Sequence, residues 1–414
     1  MSRYVKIGIV FFIFLFALVY LVLPFFSSKS FVIGESEDVL GLNSDDEKVP
    51  VKEEVLHIAT PKPLKAVYMS ACYAGSPNLR EGLAKLIDET ELNAIIIDVK
   101  DYSGKISFVP NESWADYLSD SCSATDMKEF IKDLHDRDIY VMARITAFQD
   151  PYYAKLYPNE AVKLASDKTK LWKDKKGINY LDPGSTVALD HLVKLAEDSY
   201  DAGFDEINFD YIRFPSDGNM KDIYFPYSEG KNKATVMEDV FKYFHDKLKP
   251  KGIVISADLF GMVTTNTDDL NIGQVLERAL PYFDYIAPMV YPSHYPPNFN
   301  GWKDPNKVPY ELIKFVMTAA VKRTVATSTV IETFDGEYIA STTPKLYTKE
   351  SFDAQKMRPW IQDFDYGGNY DIAEVKAQIK ATYDSGLTSW MLWSPSNRYT
   401  VGALEKESKQ VVNE

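Results

Sequence analysis

A (β/α)8 barrel with loop insertions is the fold class this sequence predicts, and three observations predict it. From Leu64 onward, short apolar runs alternate with segments of helical period, the signature of a parallel sheet wrapped by helices. The runs number eight, which is the count a closed barrel needs. The first turn after the first run, Ala71-Cys72-Tyr73-Ala74-Gly75, is not the glycine-rich turn expected of an open doubly wound sheet, the competing fold. The strands are predicted at residues 65–70, 94–100, 139–145, 206–212, 253–259, 284–291, 358–364 and 389–393. Helices are predicted between them, among others at residues 185–202, 234–248, 309–321 and 372–385. The barrel domain is thereby bounded at residues 63–402, with a polar tail at 403–414.

What precedes the barrel reads differently. Arg3 and Lys6 lead into an uncharged apolar run at 7–26, long enough to cross roughly 30 Å of hydrocarbon as a helix. A cleaved signal peptide competes with this reading. Its apolar region usually spans about 7–15 residues and ends in a small-residue cleavage site. This run ends Leu23-Pro24-Phe25-Phe26, so a signal anchor in the first 26 residues is preferred. The basic flank places the N-terminus in the cytoplasm and the barrel outside, held by the lipid bilayer (or secreted, if the segment is cleaved). Residues 27–62 are rich in acidic side chains and carry Pro50 and Pro61, with little apolar periodicity. Such a stretch buries too little apolar surface to offset its ordering entropy, and it reads as a disordered tether.

Composition narrows the function classes. A formal net charge of −14 disfavours nucleic acid as a partner, since a phosphate backbone is met by clustered Lys and Arg. Five histidines without HxH or HExxH pairing argue against zinc-hydrolase chemistry, and neither metal nor cofactor is called for. Cys72 and Cys122 follow the first and second strands. Nothing in their spacing demands a bond, and a chain of this size is stable without one, so they are expected unbridged. The aromatic surplus, with Tyr 27, Phe 23 and Trp 6, suits either a large core or flat surfaces for a ligand. Oligomeric state is not legible.

In a barrel, chemistry collects at the C-terminal ends of the strands, and alternate residues point inward. On the fourth strand Ile207, Phe209 and Tyr211 form an apolar face, and Glu206, Asn208 and Asp210 point inward. A lone inward Asp210 could equally be tied up by Arg213 or Arg144. The fifth strand supplies a second carboxylate, Asp258, on the face it shares with Val254 and Ser256. Glycoside hydrolysis needs two such groups, one to protonate the leaving oxygen and one to act as nucleophile or to activate water. Asp98 and Lys100 share a face of the second strand, and Arg144 ends the third. Tyr291 and His294 after the sixth strand and Trp360, Gln362 and Asp363 on the seventh bring flat rings and hydrogen-bonding groups. They suit a sugar, with its apolar C–H faces and hydroxylated edges. Trp390 and Trp393 on the eighth strand are three apart and cannot share a face, so one only, Trp393, is placed at the site. Asp363 or Asp365 competes with Asp258 for the acid role. His135, His191 and His245 fall in helical segments and read as packing or surface residues. The insertion at 146–184, with Tyr152, Tyr153, Tyr157, Trp172 and Tyr180, either shapes the cleft or forms a subdomain of its own.

Residues 204–218, FDEINFDYIRFPSDG, resemble the signature of a bacterial glycoside hydrolase-like family, the DUF4015 group. NAIIIDVKD at 93–101, LDPG at 181–184, SADLFG at 256–261, IAPMVYPSHY at 286–295 and RPWIQDF at 358–364 fit the same pattern in the same order. Ala287, where related sequences often have Ser, is a departure that touches no proposed catalytic group. The resemblance spans about Leu64 to Val401 and implies a TIM barrel that hydrolyses a polysaccharide. The reading is a membrane-anchored, extracytoplasmic glycoside hydrolase acting on a polysaccharide or envelope glycan. Its catalytic pair is Asp210, as nucleophile or base, and Asp258, as general acid. Asp98, Lys100, Arg144, Asn208, Arg213, Tyr291, His294, Trp360, Gln362, Asp363 and Trp393 are expected to bind substrate. The rivals are a non-catalytic saccharide-binding barrel that tethers the cell to an envelope polymer and a metal-dependent deacetylase using aspartates and His294.

Overall fold

The computed structural model describes residues 55–330, 338–339 and 342–406. The anchor at 1–26 and most of the tether lie outside the described residues. Among the described residues no helix is long and apolar enough to cross a membrane. Eight parallel strands close into a barrel: β1 (Lys65–Met69), β2 (Ala94–Lys100), β3 (Tyr140–Thr146), β4 (Glu206–Asp210), β5 (Val254–Phe260), β6 (Tyr285–Met289), β7 (Trp360–Gln362) and β8 (Trp390–Trp393). Around them run α1 (Pro77–Asp88), α2 (Met127–Asp136), α3 (Thr186–Tyr200), α4 (Lys233–Leu248), α5 (Leu276–Ala279), α6 (Pro309–Val325) and α7 (Ile372–Asp384). Three short antiparallel strands, Ser328–Thr329, Tyr338–Ile339 and Leu346–Thr348, form a small sheet inserted between α6 and β7.

Period-two alternation builds the two faces of the barrel wall. Ile95, Ile97, Val141, Ile207, Phe209, Ile255 and Ala257 point outward into one apolar core beneath the helices. Ala66, Tyr68, Ile96, Tyr140, Met142, Trp360 and Met391 point inward and fill the barrel. Helix starts are fixed by side-chain acceptors for backbone N–H groups left without a turn to bond. Ser185 Oγ accepts from Ala188 N at 3.1 Å, and Asn232 Oδ1 from Thr235 N at 3.1 Å. Asp371 and Glu374 make a reciprocal capping box at α7. The LDPG stretch is structural. Asp182 accepts from the N–H groups of Gly184, Tyr227 and Ser228, tying the loop after β3 to the loop after β4.

Alternation fails at two positions, and each moves a predicted site residue. In the register of β2 with β3, Asp98 faces Arg144 while Lys100 faces Ile145, so Val99 is an extra bulged residue. The bulge turns Lys100 away from the mouth. Its ammonium is fully buried, 2.9 Å from Asp150 Oδ2, and donates to the Thr146 carbonyl at 2.5 Å. The expectation that Lys100 meets substrate is therefore corrected. At the end of β4 the chain enters the left-handed region at Tyr211, with φ 49°. The strand stops there, and Tyr211 leaves the outward face predicted for it.

Two boundaries are also displaced. Residues 55–62, assigned by sequence to the tether, run along the N-terminal end of the barrel. Ile58 N donates to Asp205 Oδ1 at 2.9 Å, Thr60 Oγ1 shares a hydrogen bond with Tyr140 OH at 2.9 Å, and His57 stacks on Tyr200. At the other end Ala403 and Leu404 are buried, and Glu91 N donates to the Glu405 carbonyl at 2.9 Å. Asp205 gathers this end of the fold. Burial pushes its carboxyl upward, but hydrogen bonds from His135 and the Val141 N–H, with His57 Nδ1 3.7 Å away, outweigh burial and hold it below the ordinary value.

The two cysteines are bridged, contrary to the sequence expectation. Barrel topology brings the segment after β1 beside the loop after β2, leaving Cα atoms of Cys72 and Cys122 4.1 Å apart across 50 residues of chain. Sequence spacing carries no record of that adjacency.

Two stability measurements follow. The double variant Cys72→Ser/Cys122→Ser is expected to lose about 2–4 kcal/mol in denaturant unfolding, because the bridge restricts the unfolded chain. An unchanged midpoint overturns this. Asp205→Asn is expected to cost about 1–3 kcal/mol at pH 7. A depressed carboxylate stabilises above its unfolded pKa, and that stability is lost as pH falls through the folded value. Wild type and variant should therefore converge in acid, and a gap that widens there contradicts the assignment.

Candidate active site

The site grows from one buried arginine. Arg144, near the end of β3, points into the mouth, where its Nη1 donates to Asp98 Oδ1 at 2.5 Å and its Nη2 to Asp210 Oδ2. Its Nε lies 3.8 Å from Asp258 Oδ2 and, among the described residues, has no hydrogen-bond partner. Below it, Tyr68 OH donates to Asp98 Oδ2 at 2.5 Å. Tyr68 also stacks on Trp393, with ring centroids 4.0 Å apart, and both rings lie against the guanidinium. Burial pushes Asp98 up against the pull of Arg144 and Tyr68.

Asp210 and Asp258 sit in contrasting surroundings. Asp210 accepts on both oxygens, from Arg144 and, at 2.5 Å, from the Tyr211 N–H. The left-handed Tyr211 aims that N–H back at the carboxylate. Positive φ at a non-glycine residue is strained, and such strain collects at functional sites. Asp258 is almost fully buried. Its Oδ1 accepts from Asn208 Nδ2 at 3.0 Å and Trp360 Nε1 at 2.8 Å. Desolvation first, then the neighbouring Asp210 charge, pushes its carboxyl up to about 8. With both donors on Oδ1, Oδ2 is the oxygen left to carry a proton.

Both carboxylates line a cavity of about 370 Å³ together with Arg144, Arg213, Tyr291, His294 and Trp393. Seven of the residues expected from sequence are thus brought together. Tyr211, Phe260, Met262, Met289 and Tyr295 complete the wall and were not called. Gly261 is there for space, since a Cβ would stand 2.5 Å from the Met289 carbonyl oxygen. Tyr291 and His294 are pushed by burial toward their neutral forms. Tyr68 was also missed, although alternation from Ala66 along β1 points to it.

The remaining expected residues stand behind the wall. Asn208 and Trp360 hold Asp258, and Asp98 holds Arg144. Gln362 is fully buried, accepting from Ser293 N and donating to the Phe364 carbonyl. These four position the site, and none lines the cavity. Asp363 accepts from Thr400 N at 2.9 Å and Thr400 Oγ1 at 2.6 Å, which uses its carboxylate to anchor the C-terminal segment. Asp365 accepts from Tyr370 N at 2.8 Å. Neither lines the cavity beside Asp210, whereas Asp258 does. Trp390 packs in the outer core, leaving Trp393 alone at the site. Trp172 and Tyr180 of the 146–184 insertion are buried in the same apolar core as the outer barrel wall, and no aromatic residue named there lines the cavity.

A closed parallel barrel whose C-terminal mouth holds two unlike carboxylates and aromatic rings is the architecture of a glycosidase. The chain belongs to the DUF4015 family, described as "Putative glycosyl hydrolase domain", whose model matches residues 66–399. No curated protein matches it. Among solved structures it is similar to the PgaB (BpsB) glycoside hydrolase domain from Bordetella bronchiseptica, at 14% identity. That match covers 84% of this chain and 99% of that one, with a TM-score of 0.56. At 29% identity it matches a hypothetical protein from Ruminiclostridium thermocellum over 46% of this chain and 96% of that one, TM-score 0.41. A chitinase from Chromobacterium violaceum matches at 12% identity, over 82% and 96% of the two chains, TM-score 0.45. The likeness to the Bordetella domain describes the fold.

Trp360→Phe removes one of the two donors that favour ionised Asp258. The proton should then be held to higher pH, which a titration followed by carboxyl 13C NMR would show. A downward shift overturns the assigned contact.

Proposed function

We propose that the protein hydrolyses glycosidic bonds of a polysaccharide or cell-envelope glycan with Asp258 as general acid and Asp210 as nucleophile or base. The observation that carries this reading is the contrast between two carboxylates in one cavity. One is desolvated and proton-holding, and the other is fixed by a guanidinium and a backbone N–H. Environments that drive two titratable groups apart assign acid and base.

Asp258 Oδ2–H donates to the glycosidic oxygen as the C1–O bond breaks, so the leaving sugar departs as a neutral alcohol. Asp210 acts at the anomeric carbon, by direct attack or by taking a proton from the attacking water, while the ring carries oxocarbenium-like charge. Arg144 keeps Asp210 oriented, and Trp393 and Tyr291 offer faces for the sugar ring. The disulfide supports residence outside the cytoplasm, where such bonds persist. The uncharged run at 7–26 supports a single-pass anchor with a cytoplasmic N-terminus and an extracytoplasmic barrel.

Asp258→Asn and Asp210→Asn are each expected to lower turnover of a cleavable glycan by about 10²–10⁴-fold or more while the fold survives. Asp258→Asn should recover most of its rate on a glycosyl fluoride, whose leaving group needs no proton. Asp210→Asn should not. Wild-type activity should fall as pH rises past about 8, where Asp258 gives up its proton. Full activity in Asp210→Asn sinks the site. A wild type that binds glycans and cleaves none of a broad panel makes the barrel a binding module.

A further inference from the structure

The cavity holds two guanidinium groups in opposite states. Arg144 is paired with carboxylates, with Asp98 and Asp210 bonded and Asp258 close by. Arg213 is 6% exposed and lines the same cavity, yet among the described residues no carboxylate forms an ion pair with it. Its one recorded hydrogen bond runs from Nη1 to the Phe214 carbonyl at 3.0 Å. The guanidinium lies over the rings of Phe260 and Tyr211, 4.7 and 5.1 Å from their centroids.

Taking a cation out of water costs free energy unless an anion or several acceptors compensate. Ring faces return part of that cost and hold the guanidinium in place. One carbonyl leaves most of the five N–H donors of an arginine without a protein acceptor. The geometry is that of a cation fixed for a partner arriving from the cavity. A planar guanidinium matches a carboxylate in bidentate fashion. His294, the third basic group in the wall beside Arg144 and Arg213, is driven toward its neutral form by burial.

We propose that the substrate is an acidic glycan and that a sugar carboxylate is seated on Arg213, beside the cleaved residue. This rests on the glycosidase reading of the site and adds the substrate class to it. Arg213 is a binding residue in this scheme. The pair Asp210 and Asp258 remains the reacting machinery, and the carboxylate on Arg213 balances the charge that the protein leaves open.

The test compares acid and neutral sugars of the same shape on the full chain, by saturation-transfer NMR and by the fluorescence change of the cavity tryptophan. The pairs are methyl glucuronoside against methyl glucoside, galacturonate against galactose, and N-acetylmuramate against N-acetylglucosamine. The first two carry the carboxylate on the ring and the third on a lactyl ether, so the pair that discriminates names the source. A charge-assisted contact predicts that at least one acid binds about 10-fold or more tighter than its neutral partner. The margin should shrink with added salt. In Arg213→Gln the margin between acid and neutral partner should vanish, and in Arg213→Lys part of it should remain. A variant that fails to fold leaves the wild-type comparison and its salt dependence as the deciding measurement. Equal affinity within every pair overturns the acidic substrate and leaves the glycosidase reading standing. An acid preference that persists in Arg213→Gln overturns the role of Arg213. No binding by any member of the set overturns the saccharide site itself, and this inference with it.

Discussion

Three aspartates share the mouth of this barrel, and they coexist because one guanidinium stands among them. Asp98, Asp210 and Asp258 are each nearly buried. Three desolvated negative charges so placed would each be driven to take up a proton. Arg144 prevents that unevenly. It gives a direct hydrogen bond to Asp98 and another to Asp210, and presents only a distant Nε to Asp258. The carboxyl with the poorest share of the cation, Asp258, is pushed up to about 8 by desolvation and by the neighbouring Asp210 charge. The acid-base asymmetry is therefore a matter of reach, set by where β2, β3, β4 and β5 place their ends. Tyr68 and Asp98 matter as the support that fixes which way the guanidinium faces.

Much of this was legible in the sequence because strand alternation is a strict rule wherever both faces are buried. Ile253, Ile255 and Ala257 against Val254, Ser256 and Asp258 could be sorted by counting. So could Glu206, Asn208 and Asp210, and the three-residue spacing of Trp390 and Trp393. Counting fails where the backbone departs from the pleat. The bulge at Val99 reversed Lys100, and the left-handed turn at Tyr211 brought a residue from the helix side to the cavity wall. Neither has a marker in local composition, since valine and tyrosine are ordinary strand residues.

A second kind of miss came from the third dimension. Cys72 and Cys122, or Ile58 and Asp205, are neighbours only after the barrel has closed. Asp363 follows β7 with the parity of outward-facing Ile361, and Thr400, 37 residues further on, occupies its carboxylate. Trp360 illustrates the distinction in another way. Its ring belongs to the barrel filling and its N–H to the acid, so a single label of substrate contact or core residue describes it poorly.

The barrel wall is not uniformly stitched. β5 and β6 run in register from Ser256↔Tyr285 to Phe260↔Met289, whereas β6 and β7 share the single pairing Met289↔Trp360. The residue at that thin seam is also the one whose indole grips Asp258. For anyone breeding a hardier version of this protein, that coincidence has a practical meaning. The seam is the natural target for reinforcement, yet its central tryptophan also bears on how firmly Asp258 holds a proton. Selection for heat tolerance alone would drift through this position blind to its second duty, and variants that survive boiling would emerge with altered working pH.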